Sequence, residues 1–268
     1  MPNPDTIPVM IDWRPFLTEL ADIADNIAEH YFESVTLQPT QKPDRTPVTQ
    51  ADLEIETAIR NYTSKCHPNM TFLGEEFGSS GSEHTLRLII DPIDGTQNFI
   101  RAIPIFGTLL AIEEHGEVIA AMISAPKLYQ RWWAQKGCGS FQNGRQIHVS
   151  SVRSLNEAQV FHGSLSGPEA TSTPPGLLSL LQQSWRQRGV GDFYAHMLVA
   201  SGAGDLACDF GLKAWDIAPI PIIIREAGGQ CTNLSGTTSI YDTSLISTNG
   251  HLHTKTLELL SSKHSIHE

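Results

Sequence analysis

The apolar run Leu88–Ile90 ends in the acidic segment Asp91–Thr96, which reads Asp-Pro-Ile-Asp-Gly-Thr. A short apolar run predicts a buried strand, and this strand would deliver two carboxylates to a solvent-facing edge. Oxygen ligands at this density suit hard cations such as Mg²⁺, and the Gly-Thr pair offers backbone N–H groups to a phosphate oxygen. Asp-Pro and Asp-Gly pairs are also ordinary turn formers, so the segment alone leaves that interpretation open.

Two further acidic segments accompany it along the chain. Leu73–Gly78 places two glutamates after the short apolar segment Thr71–Leu73, and Ala214–Pro219 reads Ala-Trp-Asp-Ile-Ala-Pro, followed by Glu226–Gly229. Together and in this order, the three acidic segments resemble the signature of the inositol monophosphatase family of Mg²⁺-dependent, Li⁺-sensitive phosphatases. The resemblance extends from about Lys42 to Gly229.

Hydrophobic periodicity predicts a mixed helix and strand protein. A helix is expected over residues ~12 to 33, and a second one near Ala51, where Thr49 and Asp52 form a capping-box-like pattern. Strands are then expected at Leu86–Ile90, Ile105–Ile112, Val118–Ile123 and Arg131–Ala134, and near Gln159, Asp205 and Ser244. Later helices are expected over residues ~176 to 187, ~193 to 203 and ~216 to 227.

The fold class from these patterns is α+β or α/β. The family resemblance implies more, a layered α-β-α-β-α sandwich of the inositol monophosphatase and fructose bisphosphatase type. The loop at residues 163–175 is rich in Ser, Gly, Thr and Pro, and we expect it to separate two halves, 1–160 and 161–268, of a single phosphatase unit.

Composition is that of an ordinary globular protein, with 268 residues, 40% hydrophobic and 18% charged. The formal net charge of −11 disfavours nucleic acid as a partner. The sequence contains no run near the ~18 apolar residues of a membrane span and no signal-peptide pattern, so a cytoplasmic location is expected. The four cysteines are scattered, which disfavours a zinc site or a disulfide framework and favours buried free thiols.

The family resemblance implies a metal-ligand set. Glu75, Asp91 and the carbonyl of Ile93 would bind one Mg²⁺, and Asp91, Asp94 and Asp216 a second, so that Asp91 bridges the two. Glu76 would orient these ligands or bind a third, weaker metal, which gives two or three Mg²⁺ per active site.

The same resemblance assigns catalytic roles. Thr96 and Asp52 would orient and deprotonate the attacking water, with Glu75 beside them. The N–H groups of Gly95 and Thr96 would bind the phosphate, with Asp94 as the cap of a short helix. For Asp52 the alternative is a simple acid at a helix start.

Lys42 is expected on a loop over the metals, with solvated surface as the alternative.

The substrate is expected to be a small phosphate ester. Four segments resemble the histidinol-phosphatase branch of the family more than the inositol branch: Lys42–Thr49, Pro104–Leu109, Ala125–Pro126 with Arg131–Ala134, and Trp215–Ile220. Histidinol carries an ammonium and an imidazole, so its pocket should be acidic. Asp192 and Asp209, together with Asp94 and Asp216, are therefore expected to contact the substrate; the alternative for Asp192 and Asp209 is a loop-cap role.

Two other functions stay open at this stage. One is an inositol-1-phosphatase-like activity of broad specificity, and the other is a non-catalytic regulatory protein with the same fold. Every expected metal ligand is present, which favours an enzyme. The resemblance also implies a homodimer, and neither nucleic acid nor membrane is expected as a partner.

Overall fold

The computed structural model describes residues 11–32, 40–41, 47–81, 86–165 and 173–262, with only the backbone described at 40, 41, 47 and 48. The helices in these ranges are α1 (Arg14–Tyr31), α2 (Gln50–Cys66), α3 (Thr96–Ile100), α4 (Leu177–Gln183), α5 (Asp192–Ala200), α6 (Ala214–Ile217), α7 (Pro219–Glu226) and α8 (His253–Ser261). The strands are β1 (Thr40–Gln41), β2 (Pro47–Val48), β3 (Thr71–Gly74), β4 (Gly78–Ser80), β5 (Arg87–Asp94), β6 (Gly107–Glu114), β7 (Glu117–Ala125), β8 (Gln130–Gln135), β9 (Gly139–Gln142), β10 (Arg145–Gln146), β11 (Gln159–His162), β12 (Arg186–Gly189), β13 (Leu206–Phe210), β14 (Gln230–Thr232) and β15 (Ser244–Thr248).

An eight-stranded sheet carries the first half of the described chain, in the order β10-β9-β8-β7-β6-β5-β3-β4. Successive side chains of a strand point to opposite faces, and both faces of this sheet are covered. On β5, Leu88 and Ile90 pack with α1 and α2 in one core cluster, whereas Ile89 between them packs with α5 and α7 in another. Burial on both faces explains why this strand reads as a continuous apolar run.

A five-stranded sheet, in the order β12-β11-β13-β15-β14, forms a second β layer. On β13, Ala207 packs into the cluster shared with α5 and α7, whereas Leu206 and Cys208 pack with α4 on the opposite face. Leu260 of α8 joins that outer cluster. The layers are therefore α1/α2, large sheet, α5/α6/α7, small sheet and α4/α8, which confirms the expected α-β-α-β-α sandwich.

Several boundaries differ from the prediction for identifiable reasons. The helix expected over ~176 to 187 ends at Gln183, and the next residues form β12, which pairs in parallel with β11. The helix expected over ~216 to 227 is two helices, because Pro219 has no N–H to continue α6 and instead begins α7. The C-terminal helix α8 was not predicted. The proposed division of the chain near residue 160 stays a prediction.

Within the described ranges, no helix is both long and apolar enough to cross a membrane. All four cysteines are free. Cys208 and Cys231 are buried as expected, whereas Cys66 is exposed and Cys138 is partly exposed.

Candidate active site

The end of β5 brings two aspartates to one edge of the large sheet. Asp91 pairs with Leu109 and Asp94 with Gly107 of β6, and the register shifts between these two pairs. In a regular strand, residues three apart point to opposite faces, so this irregularity lets both carboxylates turn toward the same place. Pro92, which has no N–H to donate, occupies the irregular stretch, and its carbonyl accepts a 2.7 Å hydrogen bond from the Thr108 hydroxyl.

Two other acids reach the same edge from distant parts of the chain. Asp216, in the first turn of α6, lies near Asp91 and Asp94, and one carboxylate oxygen from each of the three lies within 4.8 Å of the others. Glu75 follows β3 directly, and its N–H donates to the carbonyl of Ile90 at 3.2 Å. All four acids line one cavity of about 610 Å³.

Burial and crowding make these carboxylates costly to ionise without a cation. Burial is the main cause that raises the pKa of Asp91 well above its ordinary value, and the charges of Glu75, Asp94 and Asp216 raise it further. Burial, with the charges of Asp192 and Asp216, likewise raises the pKa of Asp94. Burial raises the pKa of Asp216 to about 7, although a hydrogen bond from the Lys213 N–H opposes this.

The donor set fits a bound divalent metal. Asp91 Oδ1 is a buried oxygen that has no hydrogen-bond partner among the described residues. Such an orphaned acceptor, at the centre of four converging carboxylates, is the arrangement that a cation would complete. Because all of these ligands are oxygens, the site suits a hard cation such as Mg²⁺.

The glycine and threonine that follow the acids begin α3. Gly95 precedes the helix with φ = 82°, a left-handed conformation that favours glycine, and a Cβ there would lie 3.0 Å from the carbonyl of Ile105. The Thr96 hydroxyl donates a 2.9 Å hydrogen bond to the Ile93 carbonyl, the same carbonyl that was expected to bind a metal. A carbonyl has two lone pairs, so both interactions are compatible.

The expected role of Asp94 as the cap of α3 is wrong. The N-cap residue of α3 is Gly95, and no side chain caps the helix. Asp94 instead accepts a 2.7 Å hydrogen bond from the Phe193 N–H in the first turn of α5. Its carboxylate therefore joins the end of β5 to the start of α5.

Asp52 is buried at the start of α2, where it completes a capping box. Its Oδ2 accepts hydrogen bonds from the Thr49 N–H at 2.8 Å and from the Thr49 hydroxyl at 2.5 Å. Asp52 is therefore an acid at a helix start, as the alternative interpretation proposed. Its catalytic partnership with Thr96 stays a prediction.

Two more acids line the cavity, Asp192 in the first turn of α5 and Asp209 in β13. Asp192 has φ = 55° and accepts a 3.3 Å hydrogen bond from the Asn98 side chain. Asp209 Oδ2 accepts the Asp192 N–H at 3.1 Å, and Asp209 Oδ1 accepts the Phe210 N–H at 3.0 Å. Burial, followed by the charge of Asp192, raises the pKa of Asp209 to about 7. Asp209 therefore lines the cavity and accepts backbone N–H groups as its alternative cap role implies, and its contact with the substrate stays a prediction.

Residues 12–265 match the sequence model of the inositol monophosphatase family. The chain belongs to this family. A histidinol-phosphatase of Mycobacterium tuberculosis is 40% identical over 247 residues, covering 90% of this chain and 95% of that protein. An inositol-1-monophosphatase of Caulobacter vibrioides is 33% identical over 248 residues, covering 88% and 96%. The crystal structure of the extragenic suppressor protein SuhB of Bartonella henselae superposes with a TM-score of 0.86 at 30% identity, covering 93% of this chain and 98% of that one.

The structure of this inositol monophosphatase family member brings together most of the predicted site. Glu75, Asp91, Ile93, Asp94, Gly95, Thr96, Asp192, Asp209 and Asp216 all line the cavity. Asp52 and Glu76 are not among the described residues that line it. Lys42 lies outside the described residues.

Three residues of the site were missed from the sequence. Asn98 and His162 line the cavity, and the His162 Nδ1 lies 2.8 Å from the Gly163 carbonyl oxygen. Glu56 is buried behind the Glu75–Phe77 turn. Only Glu56 had a usable signal, because it follows Asp52 by one helical turn and the two share a helix face.

Proposed function

We propose that this chain is a Mg²⁺-dependent phosphate monoester hydrolase that converts histidinol phosphate and water to histidinol and phosphate. The observation that carries the proposal is the charge of the cavity. Six carboxylates line it, from Glu75, Asp91, Asp94, Asp192, Asp209 and Asp216, while no Lys or Arg is among its described lining residues. Such a cavity needs cations to admit a phosphate, and its remaining negative charge favours a cationic alcohol.

The metal-binding residues of the proposal are the four acids at the sheet edge and one carbonyl. Glu75, Asp91 and the Ile93 carbonyl would hold one Mg²⁺, and Asp91, Asp94 and Asp216 a second; Glu76 would support a third. The orphaned Asp91 oxygen and the all-oxygen donor set support this assignment. Bound Mg²⁺ supplies charge neutralisation at the phosphoryl oxygens and a lowered pKa for an attacking water.

The chain's own groups would bind the phosphate and orient the water. The N–H groups of Gly95 and Thr96 are at the start of α3, where the first N–H groups of a helix have no intrahelical partner. Because the Thr96 hydroxyl donates to the Ile93 carbonyl, its oxygen lone pairs can accept a hydrogen bond from the attacking water and so orient it. Asp52 would act with Thr96 in this step.

The alcohol half of the substrate would lie against the start of α5. Asp192 is only partly buried there, and Asn98 fixes its carboxylate. In the proposal it would pair with the ammonium or the imidazolium of histidinol. Asp209 would act mainly by fixing Asp192, because each of its oxygens already accepts a backbone N–H.

The relatives support the same substrate. Histidinol-phosphatases of Mycobacterium tuberculosis, Streptomyces coelicolor and Chlorobaculum parvum are 40%, 38% and 37% identical to this chain, compared with 33% for the inositol-1-monophosphatase of Caulobacter vibrioides. A neutral polyol offers no charge for Asp192 to pair with, so the cavity supports histidinol phosphate over inositol phosphate.

Substrate preference tests the proposal. Phosphate release from histidinol phosphate, inositol 1-phosphate and fructose 1,6-bisphosphate should be compared as kcat/KM at one Mg²⁺ concentration. The proposal predicts the highest kcat/KM for histidinol phosphate. A higher kcat/KM for inositol 1-phosphate would contradict histidinol phosphate as the substrate but not the assignment as a phosphatase. Absence of phosphate release from all three esters would contradict the assignment as a phosphatase.

A further inference from the structure

Glu56 is a buried carboxylate with no role in the chemistry proposed above. Its exposed fraction is 0%, and it belongs to α2, one helical turn after Asp52. Burying a carboxylate is costly unless its oxygens are hydrogen-bonded and its charge is paired. Glu56 therefore requires an explanation.

Both Glu56 oxygens hold the turn between β3 and β4. Oε2 accepts the Glu76 N–H at 2.8 Å, and Oε1 accepts the Phe77 N–H at 3.3 Å. These two N–H groups follow Glu75, the metal ligand of the proposal, directly in the chain. Glu56 thus joins the helix that begins at Asp52 to the turn that carries Glu75.

The strand before the turn is shaped around the same carboxylate. Gly74 is buried at the end of β3, and a Cβ at this position would overlap Oε1 of Glu56. The glycine at position 74 therefore leaves the space that the carboxylate occupies.

Arg60 neutralises the carboxylate from the next turn of α2. Its Nε donates to Glu56 Oε1 at 2.8 Å, and its Nη2 donates to the Gly78 carbonyl at 2.6 Å on the far side of the turn. The guanidinium also lies 4.9 Å from the ring centre of Phe72 and 5.9 Å from that of Phe77. Since the Glu56 charge is paired and its oxygens are occupied, its effect on the metal site comes from position rather than from ligation.

We propose that Glu56, with Arg60 as its counter-ion, is a positioning residue that fixes the Glu75 turn for metal binding. The proposal rests on the metal site of the proposed function. Groups that orient metal ligands from behind typically contribute 10- to 100-fold in metal affinity. Glu56→Gln replaces one acceptor oxygen by an N–H₂ group that faces the N–H donors of the turn, so the turn loses a hydrogen bond and its orientation.

The test measures Mn²⁺ binding to the metal-free protein by electron paramagnetic resonance. This measurement needs no substrate. Glu56→Gln should weaken Mn²⁺ binding about 10- to 100-fold. In the phosphatase assay, the Mg²⁺ concentration for half-maximal rate should rise by a similar factor, while kcat at saturating Mg²⁺ and KM for the ester change much less.

The control is Glu113→Gln, which breaks another buried ion pair. Glu113 pairs with Arg87 at the start of β5, at the opposite end of this strand from Asp94. Both substitutions should lower Tm, but only Glu56→Gln should change Mn²⁺ affinity. Arg60→Met is a second variant, which keeps both Glu56 hydrogen bonds to the turn but removes the counter-ion and the hydrogen bond to the Gly78 carbonyl. We expect it to weaken Mn²⁺ binding by a smaller factor than Glu56→Gln.

Unchanged Mn²⁺ affinity in Glu56→Gln would overturn the proposal, as would an equal loss in Glu113→Gln. If Glu56→Gln does not fold, unchanged affinity in Arg60→Met would overturn it. If the unmodified protein binds no Mn²⁺, the metal site and the positioning role fail together. If it binds Mn²⁺ but does not hydrolyse histidinol phosphate, the substrate assignment fails and the binding comparison still decides the role of Glu56.

Discussion

Replacing Asp91 by asparagine should make the metal-free protein more stable and at the same time abolish its activity. Asp91 lies at the centre of the acidic cluster, and its raised pKa reflects burial and the charges of Glu75, Asp94 and Asp216. The amide introduced by Asp91→Asn carries no charge at any pH, so the substitution removes this repulsion while it keeps the shape of the side chain.

The magnitude follows from the spacing of the carboxylates. Two unit charges 4.8 Å apart interact by about 3.5 kcal/mol at an effective dielectric constant of 20. Partial protonation of the cluster already relieves part of this repulsion, so we expect a gain of about 1–3 kcal/mol, or a rise in Tm of roughly 2–10 °C for a chain of this size.

The sign of the pH dependence is fixed by the direction of the pKa shift. A carboxyl whose pKa is raised in the folded protein stabilises the fold at pH values below its unfolded pKa of 3.8, and this contribution is lost as the pH rises through the folded pKa. The Tm difference between Asp91→Asn and the unmodified protein should therefore be larger at pH 8 than at pH 5.

Thermal unfolding with and without Mg²⁺ measures both effects. Saturating Mg²⁺ should stabilise the unmodified protein, by about 2.7 kcal/mol at 100 times Kd, and should leave Asp91→Asn almost unchanged. Glu258→Gln is the control, because this exposed acid of α8 is remote from the cluster. A lower Tm for metal-free Asp91→Asn at pH 8, or a response of this variant to Mg²⁺ as large as that of the unmodified protein, would refute the reasoning.

Three other predictions concern activity. Thr96→Ala should lower kcat much more than it raises KM, because its hydroxyl acts on the water; equal kcat values would move that role elsewhere. Asp192→Asn should cost about 1.5–3 kcal/mol in kcat/KM for histidinol phosphate and little for inositol 1-phosphate, whereas Asp209→Asn should impair both, since it fixes the start of α5. An equal loss of kcat/KM for both substrates in Asp192→Asn would contradict the proposed pairing of Asp192 with the alcohol half of histidinol phosphate. Li⁺ should inhibit steady-state turnover at elevated Mg²⁺, and insensitivity to Li⁺ would argue against a second metal site like that of the family.

The sequence predicted those helices and strands whose hydrophobic periodicity shows which side chains are buried. The run Leu88–Ile90 reads as a strand buried on both faces, and the structure places it between two helical layers. The C-terminal helix escaped prediction because its buried face has only His253, Thr256 and Leu260, too few apolar positions for a clear pattern.

Sequence-based prediction was limited in the same way at the candidate active site. Asp91, Asp94 and Asp216 were predicted from motifs, and the structure brings them within 4.8 Å of one another. Contacts between distant segments could not be predicted in this way. The Phe193 N–H that engages Asp94 is 99 residues away, and it decides which helix that carboxylate contacts. Glu56 shares a helix face with Asp52, but the turn that it holds belongs to another segment, and sequence spacing does not show which segment that is.

The most direct test of the central claim is the return of activity when Mg²⁺ is added to the metal-free protein. Phosphate release from histidinol phosphate should be absent in the metal-free protein, rise to saturation with added Mg²⁺, and stay absent in Asp91→Asn at every Mg²⁺ concentration. Release that persists without divalent metal, or that returns in Asp91→Asn at near-normal kcat, would contradict a phosphatase built on this carboxylate cluster.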